Sequence, residues 1–198
     1  SNVNSKEISL QKIIEIGNLE NNNFDKHLNF VKGDIRDISL IDNIFFDAFK
    51  NKKPIEGVIH FAGLKAVEES VKDPLLYWDN NLCGSIALLK VMQKYDCQNI
   101  VFSSSATLYG NSSKKLISES SDLKPCNTYG KTKLTIENIL QELFISSGKK
   151  WKIANLRYFN PIGAHPTGLI GENPSGIPNN LFPYICKVAS KKSKELKI

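Results

Sequence analysis

Short apolar runs alternate along the chain with longer stretches in which apolar residues recur every three or four positions. Most of these runs are rich in β-branched or large apolar residues and lack clean alternation with polar ones, which is typical of strands buried on both faces of a parallel sheet. We therefore predict strands at residues 28–31, 57–61, 99–103 and 152–156.

Helical periodicity fills the segments between these predicted strands. Residues 39–50 place their apolar side chains on one face, and Asp37 or Ser39 is the candidate N-cap. Residues 75–95 and 128–144 are two longer helical candidates. The alternation of strand and helix predicts an α/β fold with a Rossmann-like, doubly wound parallel sheet.

The predicted sheet lacks one expected feature, a glycine-rich turn after its first strand. The chain contains neither Gly-x-Gly-x-x-Gly nor Gly-x-x-Gly-x-x-Gly, although a dinucleotide-binding sheet normally opens with such a turn. We therefore expect an incomplete sheet without its first β-α-β unit. Residues 159–180 are rich in Gly, Pro and Asn, which predicts a functional loop or a domain junction.

Composition excludes several classes of protein. The 198 residues are 41% apolar and 23% charged, as in an ordinary soluble domain, and no apolar run is long enough to span a membrane. The net charge of +6 is scattered without interleaved aromatic residues, which argues against nucleic-acid binding. The four cysteines form no Cys-x-x-Cys pair, so we expect no metal site and no disulfide framework, but reduced thiols in a cytoplasmic protein.

The pair Tyr129 and Lys133 is the first candidate for chemistry. A spacing of four places both side chains on one face of a helix. A tyrosine pKa of about 10 is too high for a base near neutrality. A neighbouring ammonium favours the phenolate, so we expect Lys133 to lower the pKa of Tyr129 by about 1–3 units. By itself, the same spacing also fits a solvated helix face.

Candidate ligand contacts follow the predicted strands, because ligands bind at the carboxyl ends of strands in a doubly wound sheet. Ser105 ends the run at residues 99–105 and has a hydroxyl for a substrate oxygen; the alternative interpretation is that Ser104 and Ser105 only cap a turn. Ala62 and Gly63 leave the backbone open to a ligand. Asp34 has two interpretations: it accepts from an adenine amine, or it caps the next helix.

Five motifs follow one another along the chain. They are Phe61-Ala-Gly-Leu-Lys-Ala-Val67, Asp79-Asn-Asn81, Ser103-Ser-Ser-Ala-Thr-Leu-Tyr-Gly110, Tyr129-Gly-Lys-Thr-Lys133 and Arg157-Tyr-Phe-Asn-Pro-Ile-Gly-Ala-His-Pro166. In order and spacing they resemble the extended short-chain dehydrogenase/reductase family and, within it, the UDP-glucose 4-epimerases. Residues 176–181 are also similar to the nucleotide-sugar contact of those enzymes. Small departures are Asn127-Thr128 before the tyrosine and a leucine at position 108.

The resemblance implies roles for individual residues and NAD as the cofactor. Tyr129 is implied as catalytic base, Lys133 as its tuner and a ribose contact, and Ser105 as the partner of the sugar 4-oxygen. His60 and His165 are expected to be structural. The implied cofactor contacts are Asp34, Ile35, Phe61, Ala62, Gly63, Leu64, Lys65, Asn80, Tyr129, Lys133 and Phe159. The implied UDP-sugar contacts are Lys65, Ser105, Tyr129, Asn160, Asn179, Asn180 and Leu181.

The implied organisation is an NAD-binding domain at residues 1–158 and the start of a smaller, nucleotide-sugar-binding region at 159–198. The resemblance further implies a homodimer that pairs the helices at 75–95 and 128–144. The expected reaction is the interconversion of UDP-glucose and UDP-galactose through a 4-keto sugar, in galactose metabolism.

Alternative functions also follow from the sequence. Sugar dehydration is disfavoured, because related dehydratases carry Asp-Glu where this chain has Ala106-Thr107. Another nucleotide-sugar epimerase or a UDP-uronate decarboxylase remains open, and so does an inactive binding module. Because the glycine-rich turn is missing, we expect this polypeptide alone to bind NAD weakly and to turn over little.

Overall fold

The protein is described by a computed structural model that covers residues 7–20, 24–112, 116–171 and 181–196. The chain divides into two compact units. Gly33–Phe159 forms one unit, and residues 1–32 together with 160–198 form the other. The prediction of a domain boundary at residue 158 is not tested by this division and stays a prediction.

The unit Gly33–Phe159 is built around a three-stranded parallel sheet in the order β1-β2-β3, with β2 in the centre. Val58 pairs with Ile100, and the β2–β3 register runs from Asn99 opposite Lys152 to Ser105 opposite Tyr158. Because the strands are parallel, the carboxyl ends of all three lie at one edge. The strands are β1 (Val58–His60), β2 (Asn99–Ser105) and β3 (Lys152–Tyr158).

Five α-helices of this unit connect or flank the strands. The helix α2 (Ile38–Lys50) is capped by Asp37, whose side chain accepts a hydrogen bond from the Leu40 N–H. Of the two candidate N-caps, Asp37 and Ser39, the structure thus uses Asp37. The predicted helix at 75–95 is interrupted by a π-helical segment, Trp78–Cys83, between α4 and α5. The helices are α2 (Ile38–Lys50), α3 (Val67–Lys72), α4 (Pro74–Tyr77), α5 (Gly84–Lys94) and α6 (Thr128–Ser146), with a 3-10 helix at Ala106–Tyr109.

The hydrophobic core lies between one face of the sheet and helices α2, α5 and α6. It includes Phe45 of α2, Met92 of α5, Phe102 of β2 and Leu140 of α6. The last three have 0% of their surface exposed. Trp151, immediately before β3, is part of this core. Burial of such side chains contributes about 1.5–3 kcal/mol each.

Two predictions about the strands are wrong. Residues 28–31 form no strand, because they pair with no other strand in the described residues. Phe30 in this segment is 61% exposed. The expectation that the strands are buried on both faces of the sheet fails for β1, because Ile59 is 65% exposed on the face away from the core. The predicted class, an α/β fold with an incomplete parallel sheet, is confirmed.

The second unit contains α1 (Glu7–Glu20), a 3-10 turn at Phe24–His27 and α7 (Leu181–Ala189). Between residues 160 and 171, a bridge joins Ala164 to Gly171. All four cysteines are free thiols, as expected. Within the described ranges no cluster of His, Cys, Asp and Glu is arranged to hold a metal, and no helix is long and apolar enough to cross a membrane.

Candidate active site

The carboxyl end of β2 forms the floor of the candidate site. Ser105 is 8% exposed and caps the 3-10 helix that follows, as the simpler sequence interpretation suggested. Its Oγ accepts hydrogen bonds from the N–H and the hydroxyl of Thr107, at 3.2 and 3.0 Å. The Ser105 side chain also lies near the phenol of Tyr129 and lowers the pKa of that phenol. The same hydroxyl therefore both caps the turn and faces the candidate base.

Tyr129 lies in the first turn of α6, where Asn127 caps the helix by accepting from the Gly130 N–H at 2.8 Å. Gly130 allows this turn to approach the 3-10 helix closely. A Cβ at that position would lie 2.9 Å from the Cβ of Pro125 and 3.2 Å from the carbonyl oxygen of Thr107. This close packing places Tyr129, which is 9% exposed, beside the 3-10 helix that Ser105 caps.

Lys133 lies one turn further along α6 and is only 4% exposed. Its ammonium donates to the carbonyl oxygen of Ser103 at 2.8 Å, and lies 4.8 Å from the ring centroid of Phe102 and 5.8 Å from that of Tyr129. Burial lowers the pKa of Lys133 to about 8, because desolvation penalises the charged form. The predicted pairing of Tyr129 and Lys133 on one helix face is thus present.

The prediction for the pKa of Tyr129 is wrong for this structure. Burial raises the pKa of the phenol above its ordinary value of 10.0, and the hydrogen bond from Ser105 opposes that rise only in part. The prediction considered the charge of Lys133 and omitted desolvation. In the structure Lys133 directs its ammonium to a main-chain carbonyl, so burial has the larger effect on Tyr129.

Asn81 is a site residue that the sequence analysis did not assign. Its side chain accepts from the Leu64 N–H at 2.7 Å and donates to the Leu64 carbonyl at 3.0 Å, which fixes the loop after β1. Asn81 is 2% exposed, whereas its neighbour Asn80, which was assigned to the cofactor, is half-buried. The Ser85 hydroxyl donates to the Asn81 carbonyl at 2.6 Å. No local sequence signal identifies Asn81, because its role depends on the contacts with Leu64.

Tyr77 fixes the far end of the same loop. It is fully buried, and its hydroxyl lies 2.7 Å from the carbonyl oxygen of Ala66 and 2.7 Å from a carboxylate oxygen of Glu69. Burial and the Glu69 carboxylate both raise the pKa of the Tyr77 phenol, so Tyr77 remains a neutral donor. The loop from residue 61 to 66 is therefore anchored at two points by side chains of the neighbouring helical segment.

A largely buried ion pair supports the floor of the site further along the same face of α6. Arg157 of β3 donates to both carboxylate oxygens of Glu137 on α6, at 3.0 and 2.6 Å. Ser104 donates to the same carboxylate, and Arg157 also donates to the hydroxyl of Tyr109 at 3.0 Å. This network, which we call the Glu137 cluster, ties β2, β3, α6 and the 3-10 helix together at the strand ends.

His60 at the end of β1 is a satisfied core residue, as expected. It is 3% exposed, and its Nε2 lies 2.8 Å from the hydroxyl of Ser85. Burial, together with the nearby charge of Lys133, lowers the pKa of His60 to about 4. The imidazole is therefore neutral near neutral pH.

Asp34 is held in an exposed ion-pair cluster, which we call the Arg36 cluster. The guanidinium of Arg36 donates to both carboxylate oxygens of Asp34, at 3.0 and 2.6 Å, and also to the carboxylate of Asp79. These hydrogen bonds lower the pKa of Asp34 to about 2. Asp34 does not cap the next helix, since Asp37 does so.

The remaining predicted site residues fall into three groups. Ile35 packs against Gly84, where a Cβ would lie 2.5 Å from its side chain. Asn160 and Leu181 are exposed and belong to the other compact unit, and Asn179 and Asn180 lie outside the described residues. Residues of the first unit with open, ligand-accessible positions are Phe61, Ala62, Lys65 and Phe159.

The edge formed by the ends of β1 and β2 fits an NAD-type ligand. A Cβ at Gly63 would lie 3.2 Å from the amide oxygen of Asn81 and 3.6 Å from the Lys133 ammonium, so only glycine leaves this edge open. Bare backbone, a buried ammonium, a buried phenol and a serine hydroxyl thus meet at one end of the sheet. This arrangement is typical of a dehydrogenase-type site that transfers a proton to or from a hydroxyl.

Comparison with known proteins establishes the family. The model of the NAD dependent epimerase/dehydratase family matches residues 4–198. The chain therefore belongs to this family, and its cofactor, expected to be NAD, is confirmed at the level of the family. The resemblance to UDP-glucose 4-epimerases is confirmed by the relatives described next.

Two curated relatives are a UDP-glucose 4-epimerase 1 of Oryza sativa subsp. japonica and a UDP-glucose 4-epimerase of Bacillus subtilis. The first is 50% identical over 94% of this chain and 50% of its own length, and the second is 49% identical over 87% and 49%. The UDP-glucose 4-epimerase of Bifidobacterium longum, solved with NAD+ and UDP, is similar with a TM-score of 0.81 and 43% identity, over 98% of this chain and 54% of that one. The chain spans about half the length of the curated relatives it matches.

Proposed function

We propose that the protein is a UDP-glucose 4-epimerase, which interconverts UDP-glucose and UDP-galactose and takes part in galactose metabolism. The observation that carries this proposal is the placement of Tyr129 and Lys133 on the buried side of α6, with the Lys133 ammonium bound to the Ser103 carbonyl at the end of β2. The names of the relatives support the substrate, since they are UDP-glucose 4-epimerases at about half identity.

Tyr129 is the proposed base and acid of this reaction. Its phenolate would remove the proton of the sugar 4-hydroxyl and later return it, while Ser105 donates to the 4-oxygen and holds it near the phenol. NAD, when bound, would accept and return the hydride of C4. Since burial raises the pKa of Tyr129, a positive charge beside the phenol is needed to favour the phenolate, and the Lys133 ammonium is the cation that α6 holds nearest to it.

The residues after Ser105 favour epimerisation over dehydration. Elimination of water from a 4-keto sugar needs an acid and a base near the neighbouring carbons. Here the 3-10 helix carries Ala106 and Thr107 in the two positions after Ser105, and neither side chain exchanges a proton near neutral pH. The hydroxyl of Thr107 is moreover engaged with Ser105.

The proposed cofactor contacts lie at two places in the unit Gly33–Phe159. Ala62, Gly63 and Leu64, with Phe61, Lys65, Asn80 and Phe159, would form the pocket, and Lys133 would contact the ribose. Asp34 and Ile35 would flank the adenine, with Asp34 oriented by Arg36. Asn160, Asn179, Asn180 and Leu181 would hold the UDP-sugar from the region that begins at residue 159.

We further propose that the active protein is a homodimer through the helical segments at 75–95 and 128–144. Leu75, at the start of the first segment, and Ile145, in the last turn of α6 just after the second, are 77% and 63% exposed. Sedimentation of the complete gene product tests this, since a monomer at all concentrations would contradict it.

Substitution of Tyr129 tests the reaction and the base together. We expect the complete gene product to form UDP-glucose from UDP-galactose, and Tyr129→Phe to lower kcat by about 10²- to 10⁴-fold because the general base is lost. The matched control is Tyr95→Phe, at the end of α5 and packed against Phe45, which should retain the original rate. No UDP-glucose from the intact protein would refute the substrate, and full activity of Tyr129→Phe would refute the base.

A further inference from the structure

The turn before α2 presents a carboxylate with one acceptor position left over. Asp34 Oδ1 accepts from the Arg36 main-chain N–H at 2.9 Å and from Arg36 Nε at 3.0 Å, and Oδ2 accepts from Arg36 Nη2 at 2.6 Å. The Asp34 carbonyl accepts from the Asp37 N–H at 3.0 Å, which closes the turn. A carboxylate has about four lone-pair positions. Arg36 therefore fills three of them, and one position on Oδ2 remains, on a side chain that is 46% exposed.

The same turn is held against the π-helical segment and the start of α5. Arg36 also donates to the carboxylate of Asp79, which lies 43 positions further along the chain. A Cβ at Gly84 would lie 2.5 Å from the Ile35 side chain and 3.6 Å from that of Arg36, so the missing side chain lets the turn approach this closely. The Asp34 carboxylate is thus fixed both by its own turn and by a second element.

The free position on Asp34 favours a ligand that donates a hydrogen bond. Arg36 keeps the pKa of Asp34 at about 2, so the carboxylate is ionised near neutral pH and can only accept. A purine with a 6-amino group, such as the adenine of NAD, offers an N–H to this oxygen. A 6-oxo purine places a second acceptor there. A freely rotating carboxylate would turn away from that acceptor, whereas one held by a guanidinium fork stays in place.

We propose that Arg36 is a positioning residue that makes Asp34 discriminate in favour of a 6-amino purine in the cofactor and against a 6-oxo purine. The inference deepens the proposed function and rests on its assignment of Asp34 to the adenine. Arg36 acts through Asp34, and Asp79 is the second anchor of the guanidinium. Because an exposed ion pair contributes little to stability, the expected effect is on the choice of ligand and not on folding.

The test is a competition between NAD and nicotinamide hypoxanthine dinucleotide, in which a 6-oxo group replaces the 6-amino group. The complete gene product is equilibrated with an equal excess of both, and the bound dinucleotides are released and separated by chromatography. We expect the original protein to prefer NAD by about 10- to 100-fold, the effect of one hydrogen bond to a charged group. Arg36→Gln and Arg36→Lys both remove the fork, and each should lower this preference by about 5-fold or more.

Two further variants provide the comparison. Asp79→Asn weakens one anchor of the guanidinium and keeps the shape, so it should lower the preference less than Arg36→Gln does. Lys94→Gln breaks another exposed ion pair, in which Lys94 lies 2.6 Å from Asp42, and should leave the preference unchanged. A general loss of cofactor binding would weaken both dinucleotides equally. The ratio of the two therefore reports on the carboxylate and not on the fold.

The outcomes are distinct. Equal binding of both dinucleotides by the original protein, or binding of neither, would overturn the inference. So would a preference that survives in Arg36→Gln and Arg36→Lys but is lost in Asp34→Ala, since Asp34 would then act without Arg36. Retention in Arg36→Lys alone would overturn it too, because charge without the fork would be enough. The competition needs no sugar, so a protein that selects NAD but forms no UDP-glucose would refute the proposed function and support this inference.

Discussion

Two clusters in the unit Gly33–Phe159 use the same chemical pair, an arginine donating to both oxygens of a carboxylate, in opposite surroundings. The Arg36 cluster is open to water, with side chains 39–56% exposed, whereas in the Glu137 cluster Glu137 is 6% and Arg157 20% exposed. Water screens the first pair and solvates either partner alone. In the Glu137 cluster, water cannot replace either partner of the ion pair. The geometry of the pair is therefore fixed by the strands and the helix that carry it.

The comparison teaches that burial, more than geometry, decides what an ion pair does. The Arg36 cluster can set the pKa and orientation of Asp34 without much effect on the fold. The Glu137 cluster holds Ser104 and the 3-10 helix in place directly beside Ser105 and Thr107. A substitution in one cluster should therefore change a local titration, and a substitution in the other should change the fold.

The largest effect is expected for Glu137→Ala. It leaves the Arg157 guanidinium without its carboxylate and Ser104 without its acceptor in a buried place, which costs about 3–5 kcal/mol of unfolding free energy. Denaturant unfolding of the complete gene product measures it. The control is Glu142→Ala, an exposed glutamate of the same helix, with an expected change within about 0.5 kcal/mol. Equal losses in both variants would mean that burial does not distinguish the two positions.

An intermediate effect is expected from the neutral His60 on acidification. Burial lowers its pKa to about 4 in the folded protein, against 6.5 ordinarily. Below pH 6.5 the unfolded chain binds a proton on His60 that the folded protein does not bind. The contribution of His60 to the free energy of unfolding is therefore fully present above that pH. It falls by about 3 kcal/mol towards pH 4. His60→Gln should flatten this part of the stability profile, and His165→Gln should not. The same acid loss in His60→Gln would assign it to other groups.

The smallest effect on stability is expected for Arg36→Gln. The pKa of Asp34 should rise from about 2 towards its ordinary 3.8, because the hydrogen bonds that lower it are lost. The contribution of the pair is present above pH 3.8 and is lost as the pH falls towards 2. Nuclear magnetic resonance of the Asp34 carboxyl measures the shift, and added salt should reduce the difference in unfolding. A destabilisation as large as that of Glu137→Ala would contradict the comparison.

Local patterns were enough to predict the three strands and the helices at 38–50 and 128–146, because periodicity reports which face of an element is buried. The same logic failed for residues 28–31. A strand depends on a partner for its hydrogen bonds, and no local sequence feature shows whether a partner is present. The π-helical segment Trp78–Cys83 was missed for a related reason, since its apolar spacing resembles that of an α-helix.

The candidate site was predictable in its residues and less so in its energetics. Tyr129, Lys133 and Ser105 were found from spacing and position, and the structure brings them together. The direction of the Tyr129 pKa was not predictable, because desolvation depends on how many chain segments surround the phenol. Asn81 was missed because its importance lies in contacts with Leu64, which is 17 positions away in sequence.

Those contacts of Asn81 have a consequence for the loop that follows β1. The Asn81 carboxamide accepts from the N–H and donates to the carbonyl of Leu64, and so forms the two main-chain hydrogen bonds that a neighbouring strand would otherwise provide. A carboxylate of the same size could not donate, so Asp at this position would lose the hydrogen bond to the Leu64 carbonyl. Because a carboxamide does not ionise, the loop should keep its place across the whole acidity range in which Lys133 and His60 change their charge.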